Sequence, residues 1–150
     1  MIALPESTLR FHAAADPTTL RRLLSDPAFL AESVPQVVGV EKTSETTALW
    51  TVQIKIGPIT RKSLYQGELL EATDTGVRFR AIGPEATIEG TVSFVAASGG
   101  TDLELRLSMK GSGPLRTVVD AYLGRRVRED AEKFAESLRA RVGGSAPGPA

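Results

Sequence analysis

Apolar and polar residues alternate along most of this chain, first at the two-residue period of a strand and, towards its end, at the period of a helix. Ser7 to Ala13 sets Leu9, Phe11 and Ala13 on one face and Arg10 and His12 on the other, as in a half-buried strand. Two helix starts follow, written alike. Asp16-Pro17 and Asp26-Pro27 each place a capping carboxylate before a proline at the first helical position, where the missing N–H is no loss. The first helix offers Leu20, Leu23 and Leu24 for burial and the second Phe29 and Leu30, and Pro35 stops the second.

From Val37 to Lys110 the pattern is strands and turns. Trp50, Val52, Ile54 and Ile56 oppose Thr51, Gln53 and Lys55; Gly57-Pro58 then turns the chain. Ile59 to Ala72 has a less clear period, with Leu64, Tyr65, Leu69 and Leu70 straddling both faces, and Gly67 in its middle suggests a bend or bulge. After the turn at Asp74-Thr75-Gly76, Val77, Phe79 and Ala81 point one way and Arg78 and Arg80 the other. Past Gly83-Pro84, Ala86, Ile88, Gly90, Val92, Phe94 and Ala96 form an apolar face. Ser98-Gly99-Gly100 makes a hairpin into Leu103, Leu105, Leu107 and Met109. Short connections imply antiparallel pairing, and one apolar face per strand implies a sheet wet on one side. From Pro114 to Val142, Leu115, Val119, Leu123, Val127, Ala131, Phe134, Leu138 and Val142 recur every three or four residues, with Val118, Tyr122 and Ala135 widening the stripe. That predicts an amphipathic helix roughly 40 Å long.

A one-sided curved sheet and a one-sided helix bury each other's apolar faces. The expected fold is therefore α+β, a helix-grip: an antiparallel sheet of about seven strands wraps the long C-terminal helix, with two short helices after the first strand. Residues 6–142 are expected to form a single domain and residues 143–150, Gly/Pro-rich and uncharged, a disordered tail.

Composition narrows the function. At 150 residues the chain has the usual size of one domain. It has no cysteine, which removes disulfides, thiolate metal sites and cysteine nucleophiles. Lys plus Arg and Asp plus Glu number 18 each, without the basic excess of a nucleic-acid binder. Met1 to Phe11 does not read as a signal peptide, and no apolar run reaches the ~20 residues of a membrane span. A cytoplasmic protein with no nucleic-acid partner and no integral membrane segment is expected.

The order of elements and several local motifs resemble the START-related superfamily (SRPBCC) that includes polyketide cyclases and the birch-pollen allergen. Within it, the chain resembles the G-subunit family of carbon monoxide dehydrogenase. The resemblance rests on Asp26-Pro27 with Leu30 and Val34-Pro35, on Ile56-Gly57-Pro58, and on Gly67, Gly90 and Gly99-Gly100-Thr101. It spans about residues 6–142, and its motifs are turns, caps and packing glycines, which speak for fold and not for chemistry. Gln36 stands where that family usually has glycine. With so short a tail after the helix, the membrane-directed extension of some relatives is not expected here. The resemblance implies a small hydrophobic ligand, lipid-, quinone- or aromatic-like, held between sheet and helix. It also implies, as an alternative, an accessory role beside a molybdenum hydroxylase.

Catalytic candidates are few. His12 is the only histidine, beside Arg10 on the polar face of its strand, and reads as an exposed strand residue. Glu85, Glu89, Asp102 and Glu104 fall on polar faces and are expected in solvent, where no general acid is tuned. Glu129, Asp130 and Glu132 lie among Arg125, Arg126 and Arg128 and read as surface pairs, Glu129 with Lys133 in particular. Arg116, Arg139 and Arg141 extend this charged, solvated helix face. Arg126 is set apart: it follows Tyr122 by four residues at the edge of the apolar stripe, where a guanidinium needs a partner. Gly111-Ser112-Gly113-Pro114 fits no phosphate-loop spacing. No metal site and no cofactor are expected.

The cavity is expected to be lined by Trp50, Tyr65, Phe79, Met109, Leu115, Val119, Tyr122 and Arg126, apolar bodies with a few polar handles. Binding is favoured over turnover, because a cyclase or hydrolase needs polar groups converging inside and the inward faces read as apolar. Open sheet edges leave a homodimer open.

Overall fold

The computed structural model of the chain describes residues 6–56, 58–114 and 116–143. In chain order the elements are β1 (Glu6–Ala13), α1 (Pro17–Leu24), α2 (Pro27–Ser33), β2 (Val37–Lys42), β3 (Thr47–Ile56), β4 (Ile59–Thr73), β5 (Gly76–Ile82), β6 (Ala86–Ala97), β7 (Gly100–Gly111) and α3 (Arg116–Gly143). The seven strands form one antiparallel sheet in the order β1-β7-β6-β5-β4-β3-β2. Consecutive strands from β2 to β7 pair through short turns, and β1 closes on β7. α1 and α2 therefore carry the chain from one edge of the sheet to the other. The architecture is the α+β helix-grip that the alternation implies.

Both short helices begin as written. The Asp16 carboxylate accepts from the Thr19 N–H at 2.7 Å, and that of Asp26 from the Ala28 N–H at 2.9 Å. Each satisfies one of the amide donors that a helix start leaves free. α1 buries Leu20 and Leu24, and α2 buries Leu30 and Ala31. The sheet presents Trp50, Val52 and Ile54, Val77, Phe79 and Ala81, Ile88, Val92 and Phe94, and Leu103, Leu105, Leu107 and Met109 to one core. α3 lies along β7 and β1 and adds Val119, Val127, Ala131, Phe134 and Leu138.

Several expectations need correcting. The irregularity in β4 falls between Leu69 and Glu71, while Gly67 sits in unbroken register with Ala48 on β3 and Ala81 on β5. Gly67 is there for another reason, given below. A second register shift separates Val37 from Gly39 on β2 and leaves Val38 exposed. Val118 does not widen the buried stripe of α3; it is 51% exposed. Ala96, near the end of the β6–β7 hairpin, is exposed as well. Leu115, the side chains of Ile56, Leu123 and Val142, and the tail from residue 144 onward lie outside the described residues. Among the described residues no helix is long and apolar enough to cross a membrane.

Candidate functional site

Three aromatic rings lie against the inner face of the sheet, each over a glycine of a neighbouring strand or loop. A Cβ on Gly67 would run into the indole of Trp50, one on Gly83 into the Tyr65 ring, and one on Gly90 into the Phe79 ring. Register explains two of these pairs. Trp50 on β3 is paired with Tyr65 on β4, and Gly67 lies two residues further along β4, on the same face. Gly90 is paired directly with Phe79. The rings connect sheet to helix. Trp50 and Phe79 have centroids 6.1 Å apart, and Phe79 stacks on Phe134 of α3 at 5.9 Å with planes 6° apart. Trp50, Tyr65, Phe79, Met109 and Val119 are each at most 1% exposed. Trp50 Nε1 is buried with no hydrogen-bond partner, a donor left free in an apolar interior.

A carboxylate also enters this interior. Glu85, expected in solvent, is 6% exposed. Its Oε1 accepts from the Tyr65 hydroxyl at 3.0 Å and its Oε2 from Ser63 Oγ at 2.5 Å. Arg61 Nε stands 3.5 Å from the same Oε2. Burial, and then the adjacent Glu85 charge, pushes the Tyr65 phenol well above its ordinary value. The alternation of β6 could not reveal this, because Glu85 precedes the strand, and its partners come from β4. Glu89 and Asp102 are exposed as expected, and His12 Nδ1 meets Asp102 Oδ1 at 2.9 Å on the outer face.

A second polar group occupies the mouth of the grip, where α3 faces the start of β2 and the end of β3. A cavity of about 210 Å³ is lined there by residues that include Gln36, Val38, Gln53, Tyr122, Arg126 and Asp130. Asp130, expected among surface pairs, is 1% exposed. Gln36 Nε2 donates to Asp130 Oδ2. Burial raises the Asp130 carboxyl above the usual range, opposed by the Gln36 hydrogen bond and by the charges of Arg126 and Lys133. The Arg126 guanidinium lies over the Tyr122 ring, 5.5 Å from its centroid. Glu129 and Lys133 pair at 3.1 Å on the wet side, as their spacing implies.

Of the residues expected to line a cavity, Trp50, Tyr65, Phe79, Met109 and Val119 thus stand inside the grip and Tyr122 and Arg126 at its mouth. Glu85, Gln36 and Asp130 join them without having been singled out for it. The one pointer to this place in the sequence was Arg126, at the edge of the apolar stripe where a guanidinium needs a partner; nothing marked Glu85 or Asp130.

Residues 5–143 match the family described as polyketide cyclase / dehydrase and lipid transport. The chain belongs to that family. No curated protein matches it in sequence. Solved structures show the same fold at low identity. A protein from Thermus thermophilus is 23% identical, with a TM-score of 0.68 over 92% of this chain and 97% of that one. A START superfamily protein from Mycobacterium smegmatis is 17% identical, with a TM-score of 0.65 over 91% and 96%. The di-domain ARO/CYC StfQ of the steffimycin biosynthetic pathway is 14% identical, with a TM-score of 0.61 over 93% of this chain and 50% of that one.

Proposed function

We propose that this member of the family is a binding protein, not a catalyst, and that it holds a small lipid-, quinone- or aromatic-like molecule between the sheet and α3. The observation that carries the reading is the unpartnered Nε1–H of Trp50, buried among apolar side chains. A buried donor without a partner is destabilising by roughly 1–3 kcal/mol, and a ligand carbonyl would relieve it. The rings of Trp50, Tyr65 and Phe79 fill the space over their glycines, so admitting a ligand requires them to swing up or the first turns of α3 to lift. Met109 and Val119 would then touch the ligand's apolar part, with Tyr122 and Arg126 at its exit.

Trp50 is the chain's only tryptophan, so intrinsic fluorescence reports on this interior directly. Titration with a panel of quinones, fatty acids and aromatic compounds should give saturable quenching for at least one class. The same compound at 100 times its Kd should stabilise the fold by about 2.7 kcal/mol. An unchanged spectrum and melting temperature across the panel, with a clean apo mass in native mass spectrometry, would overturn the reading.

A second reading is an accessory module for a molybdenum hydroxylase of the carbon monoxide dehydrogenase type. It draws on Leu64, 63% exposed, and Ile82, 48% exposed, on the outer face of the sheet. Beside them a groove of about 500 Å³ is lined in part by Leu49, Gln66 and Ile82. Copurification with such an enzyme, lost on Leu64→Glu, would favour this reading over the first.

A further inference from the structure

Hydrogen-bonding capacity at the mouth of the grip is left half used. Gln36 spends its amide N–H on Asp130 Oδ2, but Gln36 Oε1, Asp130 Oδ1 and Arg126 Nε are buried atoms without partners. Arg126 and Asp130 are four residues apart on α3, the spacing at which opposite charges meet. The guanidinium nevertheless turns over the Tyr122 ring, and Arg126 Nε and Asp130 Oδ1 both stay without a partner. All three residues line the same cavity of about 210 Å³, but their free atoms are closed off from it, so a ligand meets them only as the Gln36 and Arg126 side chains turn towards it. Asp130, at 1% exposure, is not a surface carboxylate that happens to lie nearby.

Two free acceptors and one free donor define their complement: a group offering two donors and one acceptor on neighbouring atoms. The acceptors belong to different elements, Gln36 ahead of β2 and Asp130 on α3. Two hydroxyls, whose hydrogens rotate to suit, reach them more readily than a single amide nitrogen. We propose that this mouth is a binding site for vicinal hydroxyls, with catechol as its simplest ligand. One hydroxyl donates to Gln36 Oε1, the other donates to Asp130 Oδ1, and one of the two accepts from the Arg126 Nε–H. Tyr122 and the exposed Val38 flank the same space and supply apolar surface for a ring. The site adjoins the exit of the interior, but it does not require the interior to hold a ligand.

The test is an NMR titration of the full chain with catechol under argon, following the Gln36 side-chain amide, the Arg126 Nε–H and the Trp50 indole N–H. 1,2-Dimethoxybenzene, which has a similar shape but no donors, serves as the control. Saturable shifts at Gln36 and Arg126 are expected, with affinity for catechol at least tenfold above the ether. Gln36→Met should lower that affinity tenfold or more in protein whose remaining spectrum shows it folded; if it does not fold, Arg126→Lys, which lacks the Nε–H, takes its place. Equal affinity for the ether would overturn the proposal, as would unmoved Gln36 and Arg126 resonances, which would mean that the mouth holds water alone. Shifts confined to Trp50 would overturn it too, while favouring an occupied interior.

Discussion

Where a side chain would project from Gly67 lies the indole of Trp50. The glycine is kept by the ring and not by the backbone, since no unusual conformation is needed there. Gly67→Ala is expected to destabilise by about 1–3 kcal/mol, as other intrusions into packed cores do. On a Trp50→Leu background the same substitution should cost much less, and urea denaturation of the four proteins measures the coupling. Asp130 behaves in the opposite sense. Its carboxyl is raised in the fold, so its contribution is fully present below the unfolded value of about 3.9 and is lost as pH rises through the folded one. At pH 7 the buried carboxylate is a burden. Asp130→Asn should therefore raise the urea midpoint at pH 7, and the gain should shrink as pH falls to about 4 and below. A variant less stable than the parent at pH 7 would show that the carboxylate is held by more than Gln36.

Among the elements, α2 depends on its neighbours more than its length suggests. It spans seven residues, too few for a helix to persist alone. Its start is capped by Asp26, and its far end is tied to α3 by one side chain. Arg141 Nη1 donates to the Phe29 carbonyl and to Ser33 Oγ, each at 2.9 Å, and Nη2 reaches Glu32 Oε1 at 3.2 Å. The guanidinium also lies 3.9 Å from the centroid of the Phe29 ring. Arg141 thus serves as a strap, where the sequence places it on a solvated charged face. Arg141→Ala should speed amide exchange across residues 27–33 well above that of β5 and β6, with only a small change in overall stability. Lys in its place keeps the charge but not the forked geometry, and should restore little.

At the scale of the molecule, Phe134 joins the long helix to the sheet through Phe79 and Trp50. Phe134→Ala should destabilise by about 3–5 kcal/mol and shift the Trp50 emission to the red, because the helix then loses its stacked contact with the strands. An unshifted spectrum would mean that the neighbours collapse into the space. The elements themselves were legible in the sequence. Strand period, the two Asp-Pro caps, the turn glycines and the helical stripe are local signals, set by the backbone geometry of a few consecutive residues, and they place every element in the right order. The inward positions of Trp50, Phe79 and Met109 follow from the same alternation. What tertiary structure alone decided is where chain-distant groups meet. Glu85 is drawn inside by Ser63 and Tyr65, 22 and 20 positions away, and Asp130 is covered by Gln36, 94 positions away. Gly67 makes room for a ring on another strand. A carboxylate's burial and a glycine's purpose are properties of what lies opposite in space, and no periodicity along the chain encodes them. The grip, with Tyr65 inside it and Arg126 at its mouth, could be read from the sequence; the buried carboxylates of Glu85 and Asp130 could not.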